Sequence, residues 1–177
     1  MAGSLIKLEE VNVTSAVASV TLGDDKWDTS YDVYMVRYNN VQPATDNRSI
    51  SVRVTESGTP NTTANYDYAY KALISTGSFG NGAFTNSTSW QYIAADGVGT
   101  GTSESANGII YCFNFNNASE YSFITLEMTE LNWQPIARGN QGGGVHTVAS
   151  ASDGLYFFDT QGGNIASGTF TLYGLKK

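Results

Sequence analysis

The sequence predicts an all-β chain, an antiparallel sandwich or barrel of about eleven short strands with little or no helix. Three observations predict it. Apolar and polar residues alternate along most of the chain, while the three-to-four spacing of a helix is almost absent. Residues that tolerate tight turns punctuate the runs. The composition is that of a β protein with hydroxyl and amide surfaces, rich in Gly (19) and Tyr (11) and only 14% charged.

The expected strands fall in order at 5–13, 17–22, 33–38, 50–54, 68–74, 89–94, 108–115, 121–130, 144–149, 155–158 and 169–175. The clearest is Ile50-Ser51-Val52-Arg53-Val54, with Ile50, Val52 and Val54 on one face and Ser51 and Arg53 on the other. Segment 64–75 could be read as a short helix from Tyr66, Tyr70 and Leu73; the alternation of Tyr66, Tyr68 and Tyr70 favours a strand. Turns are expected at Asp46-Asn47, Asn61, Asn81-Gly82, Asp96-Gly97, Asn116-Asn117, Asp153-Gly154 and Gly162-Gly163-Asn164. The glycine-rich stretches 97–103 and 139–144 read as loops too short to link separate cores, so residues 1–177 are expected to form a single domain. The closing alternation at 169–175 places the end of the chain inside its own sheet.

A net charge of −7 opposes binding to a phosphate backbone, so no nucleic-acid partner is expected. No basic and apolar leader opens the chain, and no apolar run approaches the length that crosses a bilayer. Cys112 is the single cysteine, in an apolar run, and reads as an inert buried thiol.

Candidate catalytic chemistry is sparse. His146 is the single histidine and reads as a strand residue, partly buried or at a subunit contact. The acidic residues Asp24, Asp25 and Asp28 lack calcium-loop spacing and read as a solvated turn. Glu127 and Glu130 are an odd number apart and would face opposite sides of one strand. Gly97-x-Gly99-x-Gly101 lacks the Lys-Ser/Thr ending and the following helix of a phosphate loop. The expectation is a non-enzymatic protein with no metal and no cofactor.

Aromatic side chains make the stronger case for binding. Trp27, Trp90 and Trp133 offer flat amphipathic faces on which sugars stack, and amides beside them could bond sugar hydroxyls. The candidate contact residues for a glycan or partner are Trp27, Trp90, Tyr92, Asn132, Trp133 and Gln134. Trp27 and Trp133, set among polar turn residues, are the ones expected at the surface.

The succession Asn40-Val41-Gln42-Pro43-Ala44-Thr45-Asp46-Asn47, Asn65-Tyr66-Asp67-Tyr68, Phe113-Asn114-Phe115-Asn116-Asn117 and Gly168-Thr169-Phe170-Thr171-Leu172-Tyr173-Gly174 resembles a family of β domains in tailed bacteriophages, especially marine and cyanobacterial ones. The resemblance runs over essentially the whole chain. It implies a jelly-roll-like fold and a role on the virion surface, as a fibre-like or decoration protein made in the host cytoplasm without a signal peptide. It also implies partners among other virion proteins, the major capsid protein or fibre and tail proteins; a homotrimer is expected, because trimers suit both the capsid threefold and fibre symmetry. A domain beginning near Met1 and ending at Lys177 favours docking on the capsid; a tail-fibre tip recognising host polysaccharide is the alternative, and a cellular carbohydrate-binding module the remaining one.

Overall fold

The computed structural model describes residues 4–91 and 96–175. Apart from one 3₁₀ turn at Asp24–Lys26, all its regular structure is strand: β1 Leu5–Val13, β2 Ser19–Gly23, β3 Val33–Pro43, β4 Ile50–Glu56, β5 Thr59–Pro60, β6 Tyr66–Ile74, β7 Ser78–Ser87, β8 Ala106–Phe113, β9 Ser122–Leu131, β10 Ala137–His146, β11 Gly154–Asp159 and β12 Ile165–Leu175. Every pairing is antiparallel.

Two sheets result, in the orders β1-β12-β3-β8-β9-β10-β6-β7 and β2-β11-β4-β5. The strands β1, β12, β3 and β8 of one sheet correspond in chain connection to β2, β11, β4 and β5 of the other, which is the double Greek key of a jelly roll. The hairpins β6–β7 and β9–β10 are additions to that plan. They pair with each other through β10 and β6 and extend the larger sheet by four strands.

The core follows from alternation. Val36, Tyr38, Ile110, Cys112, Leu126, Phe170 and Leu172 face inward from the larger sheet, and Val20, Leu22, Ile50, Val52, Val54, Leu155 and Phe157 from the smaller, all buried. Phe157 joins the layers, with ring centroids 5.0 Å from Phe170 and 6.1 Å from Tyr38. Each such side chain contributes about 1.5–3 kcal/mol by leaving water. Tyr66 ties the added hairpin to the sandwich: its hydroxyl donates to the Asn61 carbonyl at 2.8 Å and accepts from the Val54 N–H at 3.3 Å.

Two expectations fail for one reason. Segment 139–144 lies within β10, and Asn81-Gly82 lies in the middle of β7; neither is a loop or turn. The glycines mark places where another group comes too close for a side chain. A β-carbon on Gly142 would lie 2.3 Å from the Ala69 carbonyl oxygen, and one on Gly144 would lie 2.5 Å from the Trp90 indole nitrogen. On Gly82 it would lie 2.4 Å from the Tyr70 ring. The strand expected at 89–94 is absent at Ser89–Gln91, where Trp90 makes only an isolated bridge to Val52; residues 92–94 lie outside the described residues. Segment 64–75 does hold a strand, β6.

The edges of the larger sheet differ. Both edge strands have a register shift, between Lys7 and Glu9 in β1 and between Phe84 and Ser87 in β7, but β1 carries Lys7, Glu9 and Glu10 whereas β7 carries no charged residue. Charge and irregularity are the usual protections of an open edge.

Gly142→Ala should destabilise the fold by about 2–3 kcal/mol, because the clash is with backbone that cannot move without parting β10 from β6. Gly80→Ala, whose β-carbon would meet only the Ala72 methyl at 3.3 Å, should cost about 1 kcal/mol or less. Denaturant midpoints of the two variants check the difference.

Candidate binding surfaces

The candidate aromatic residues separate sharply. Trp27 follows the 3₁₀ turn and folds back into the core at 4% exposure, stacked on Tyr34 at 4.2 Å and tilted against Phe115 at 5.0 Å. The Tyr34 hydroxyl in turn accepts from the Asp28 N–H at 2.8 Å, which fixes the chain just beyond the indole. The expectation that Trp27 is exposed therefore fails: polar neighbours in the turn say nothing about a ring that can reach apolar partners behind it. Trp90 is fully buried, edge-on to Tyr66 at 5.1 Å and over the bare Gly144. Tyr92 lies outside the described residues.

Asn132 is also buried, and its amide oxygen is occupied. It accepts from the N–H groups of Gln134 and Ile136, both at 3.0 Å, and so folds the tip of the β9–β10 hairpin. That local turn lifts Trp133 and Gln134 into solvent, with Trp133 42% exposed. The Trp133 N–H donates to the Gly97 carbonyl at 3.0 Å, fixing the tip against the 96–98 loop. Of the six candidates, Trp133 and Gln134 are thus the described residues that reach the surface.

The other singled-out residues are internal. His146 is fully buried with its ring 4.8 Å from Tyr66, and burial lowers its pKa so that it is held neutral. Cys112 is buried, and burial raises its thiol pKa well above the usual range. Glu127 and Glu130 do face opposite sides of β9, the first exposed and the second buried. No group of three or more His, Cys, Asp or Glu able to hold a metal occurs among the described residues. A polar cavity of about 380 Å³ lies beside Tyr31 and Asp32, but its amides serve the surrounding turns. Asn114 donates to Glu120 at 3.0 Å and Asn117 accepts from the Ser119 N–H at 2.9 Å.

The surface that sequence reading missed is the outer face of the larger sheet. Pairing registers align its side chains in rows across the strands. One row is Leu5, Leu175, Val33, Phe113, Phe123, Val145 and Asp67; the next is Lys7, Tyr173, Met35, Tyr111, Thr125, Gly143 and Ala69. Leu5, Leu175, Tyr111 and Phe123 are each more than 40% exposed. A hollow of about 630 Å³ lies over the bare Gly143, walled by Phe123, Phe84 and Val145. Exposed apolar patches are a common feature of interaction surfaces. It is invisible in sequence because each strand contributes only one or two of its residues, and register alone brings them together.

Beneath the hairpin tip lies one ionisable cluster. The Glu130 carboxylate is buried at 3% exposure and accepts from the Asp96 N–H at 2.8 Å. Asp96 is paired with Arg138 at 2.9 Å, and Tyr38 faces Glu130 from β3. Burial pushes the Glu130 carboxyl up to about 7; the Asp96 charge adds to the rise, while the Asp96 N–H and the Arg138 guanidinium oppose it. The raised value means that the folded state keeps its proton when the unfolded state, near 4.5, has lost it. Stability from this group is therefore complete below about 4.5 and lost as pH rises through about 7, on the order of 3 kcal/mol. Glu130→Gln should remove that fall. The stability difference between variant and wild type, from denaturation at about pH 5 and about pH 7, should move in favour of the variant; an unchanged difference contradicts the assignment.

No family model matches the chain, and no curated protein matches it. Among solved structures, a sucrose-6-phosphate hydrolase from Lactobacillus gasseri aligns over 91% of this chain and 28% of its own, at 9% identity and a TM-score of 0.33. A fructofuranosidase from Schwanniomyces occidentalis complexed with fructosylnystose aligns over 98% of this chain and 33% of its own, at 9% identity and a TM-score of 0.16. The infectious bursal disease virus Gx strain structure aligns over 98% and 40%, at 8% identity and a TM-score of 0.14. The chain thus spans less than half of each, and likeness at these scores carries no argument about what it does.

Proposed function

We propose that this chain is a non-catalytic module displayed on a bacteriophage particle, seated on the capsid shell as a decoration protein. The observation that carries the reading is the pairing order β1-β12-β3-β8 over β2-β11-β4-β5, an architecture that recurs in viral shell and lectin domains. The step from architecture to role is by analogy of fold. The segments that carry the bacteriophage resemblance fall on that framework: 40–47 runs from the end of β3 into its turn, and 168–174 lies in β12, between β1 and β3.

The shell is favoured over a receptor-binding tip by where the aromatic side chains lie. Trp27 and Trp90 are spent on the core and the Asn132 amide oxygen on its own turn, so among the described residues of the six candidates Trp133 and Gln134 remain for a sugar. The tip reading is kept alive by that exposed indole at the end of a hairpin.

The deciding experiment is the position of the chain in purified particles. Density repeating over the head at fixed stoichiometry to the shell protein is expected from cryo-EM. Density confined to the tail would transfer the assignment to the tip reading, and absence from the particle would end both. A Trp133→Ala variant separates them further: loss of ring stacking should weaken host-glycan binding about tenfold if the tip reading holds, and should leave head occupancy unchanged on the proposal.

A further inference from the structure

We propose that the protein forms a symmetric dimer in which the outer faces of two eight-stranded sheets pack together about a two-fold axis running along β8. The inference stands on the surface pattern of the chain and does not rest on the virion reading.

The third row of the outer face reads, strand by strand, Glu10, Thr171, Arg37, Ile109, Glu127, Gln141 and Lys71. Its charges change sign about the middle. A two-fold axis along β8 exchanges β3 with β9, β12 with β10 and β1 with β6. Arg37 then faces Glu127 of the second copy, Glu10 faces Lys71 of the second copy, and Ile109 meets its own image. All four charged positions of the row find the opposite sign, and symmetry makes each pair twice. Among the described residues, neither Arg37 nor Glu127 has an ion-pair partner within the chain.

The same rotation matches the other rows by shape. Val33 faces Phe123, Leu175 faces Val145, and Phe113 and Tyr111 lie on the axis. Tyr173 projects over Gly143, where the hollow of about 630 Å³ provides the room that a missing side chain leaves. Lys7 comes beside Asp67 of the second copy. The face carries Lys7, Arg37 and Lys71 against Glu10, Asp67 and Glu127, so it is neutral in a chain of net charge −7, and two copies meet there without the repulsion they would feel elsewhere.

The dimensions suffice. Seven strands at about 4.8 Å spacing and rows at about 6.6 Å intervals give a face of roughly 30 by 20 Å. Two such faces bury about 1,200 Å² or more, within the range of specific interfaces. The axis sets the two β8 strands parallel and the twist of the sheets parts the corners, so the central pair, Arg37 with Glu127, carries more of the contact than the outer one.

Sedimentation of the full chain at micromolar concentration should give the mass of two copies. Arg37→Glu and Glu127→Arg each place like charges opposite one another twice, and each should raise the dimer dissociation constant about a hundredfold. The double variant Arg37→Glu/Glu127→Arg restores opposite signs and should recover the dimer. Circular dichroism and denaturation midpoints confirm that the variants are folded. A wild-type monomer, a trimer, single variants that stay dimeric, or a folded double variant that remains dissociated would each overturn the proposal. Particle localisation is read on virions and dimer mass on purified chain, so the two proposals fail separately.

Discussion

The pairing of β10 with β6 is the constraint on which the larger sheet depends. Each strand belongs to a separate addition to the jelly-roll plan, and each alone would leave its hairpin with an open edge. Their ladder, from Arg138 opposite Ile74 to His146 opposite Tyr66, joins the two additions into one surface. It is also a sterically demanding contact. Gly142 abuts the Ala69 carbonyl and Gly144 abuts the Trp90 indole, so the strand approaches because side chains are missing there. The loss of conformational entropy that glycine incurs in a strand is offset by the neighbours it admits.

That closeness organises both faces. On the inside, bare positions let Trp90 reach over β10 to meet Tyr66, whose hydroxyl is held by Val54 and Asn61 of the smaller sheet's border. On the outside, Gly143 leaves the floor of the hollow walled by Phe123 and Val145. One glycine run therefore seals the core where the second sheet ends and shapes the surface on the opposite side.

The sequence declared its class through alternation, because one buried face per strand imposes a period of two whatever the topology. The parity of Glu127 and Glu130 was readable in the same way. What failed was local inference from turn-forming residues. Glycines in β7 and β10 look like loops in one dimension, since nothing in the chain nearby reveals the Tyr70 ring or the Ala69 carbonyl that excludes a side chain. Trp27 misled for a related reason: its polar neighbours Asp25, Lys26 and Asp28 occupy the turn, while Tyr34 and Phe115, which bury it, come from β3 and from the turn after β8. The outer face was illegible because Leu5, Val33, Phe113 and Phe123 become neighbours only through register, a long-range property.

The two edges of the larger sheet have a consequence for how copies could accumulate. Open-ended growth by strand addition needs one edge to accept the other, head to tail, so that every new copy presents a fresh end. Here β1 combines charge with a shifted register and is a poor acceptor, while β7 has a register shift between Phe84 and Ser87 but no charge to repel a partner. A second chain could join only at the β7 side, and the pair would then expose two β1 edges and no β7. For single copies the asymmetry acts as a chain terminator, confining edge association to a closed pair.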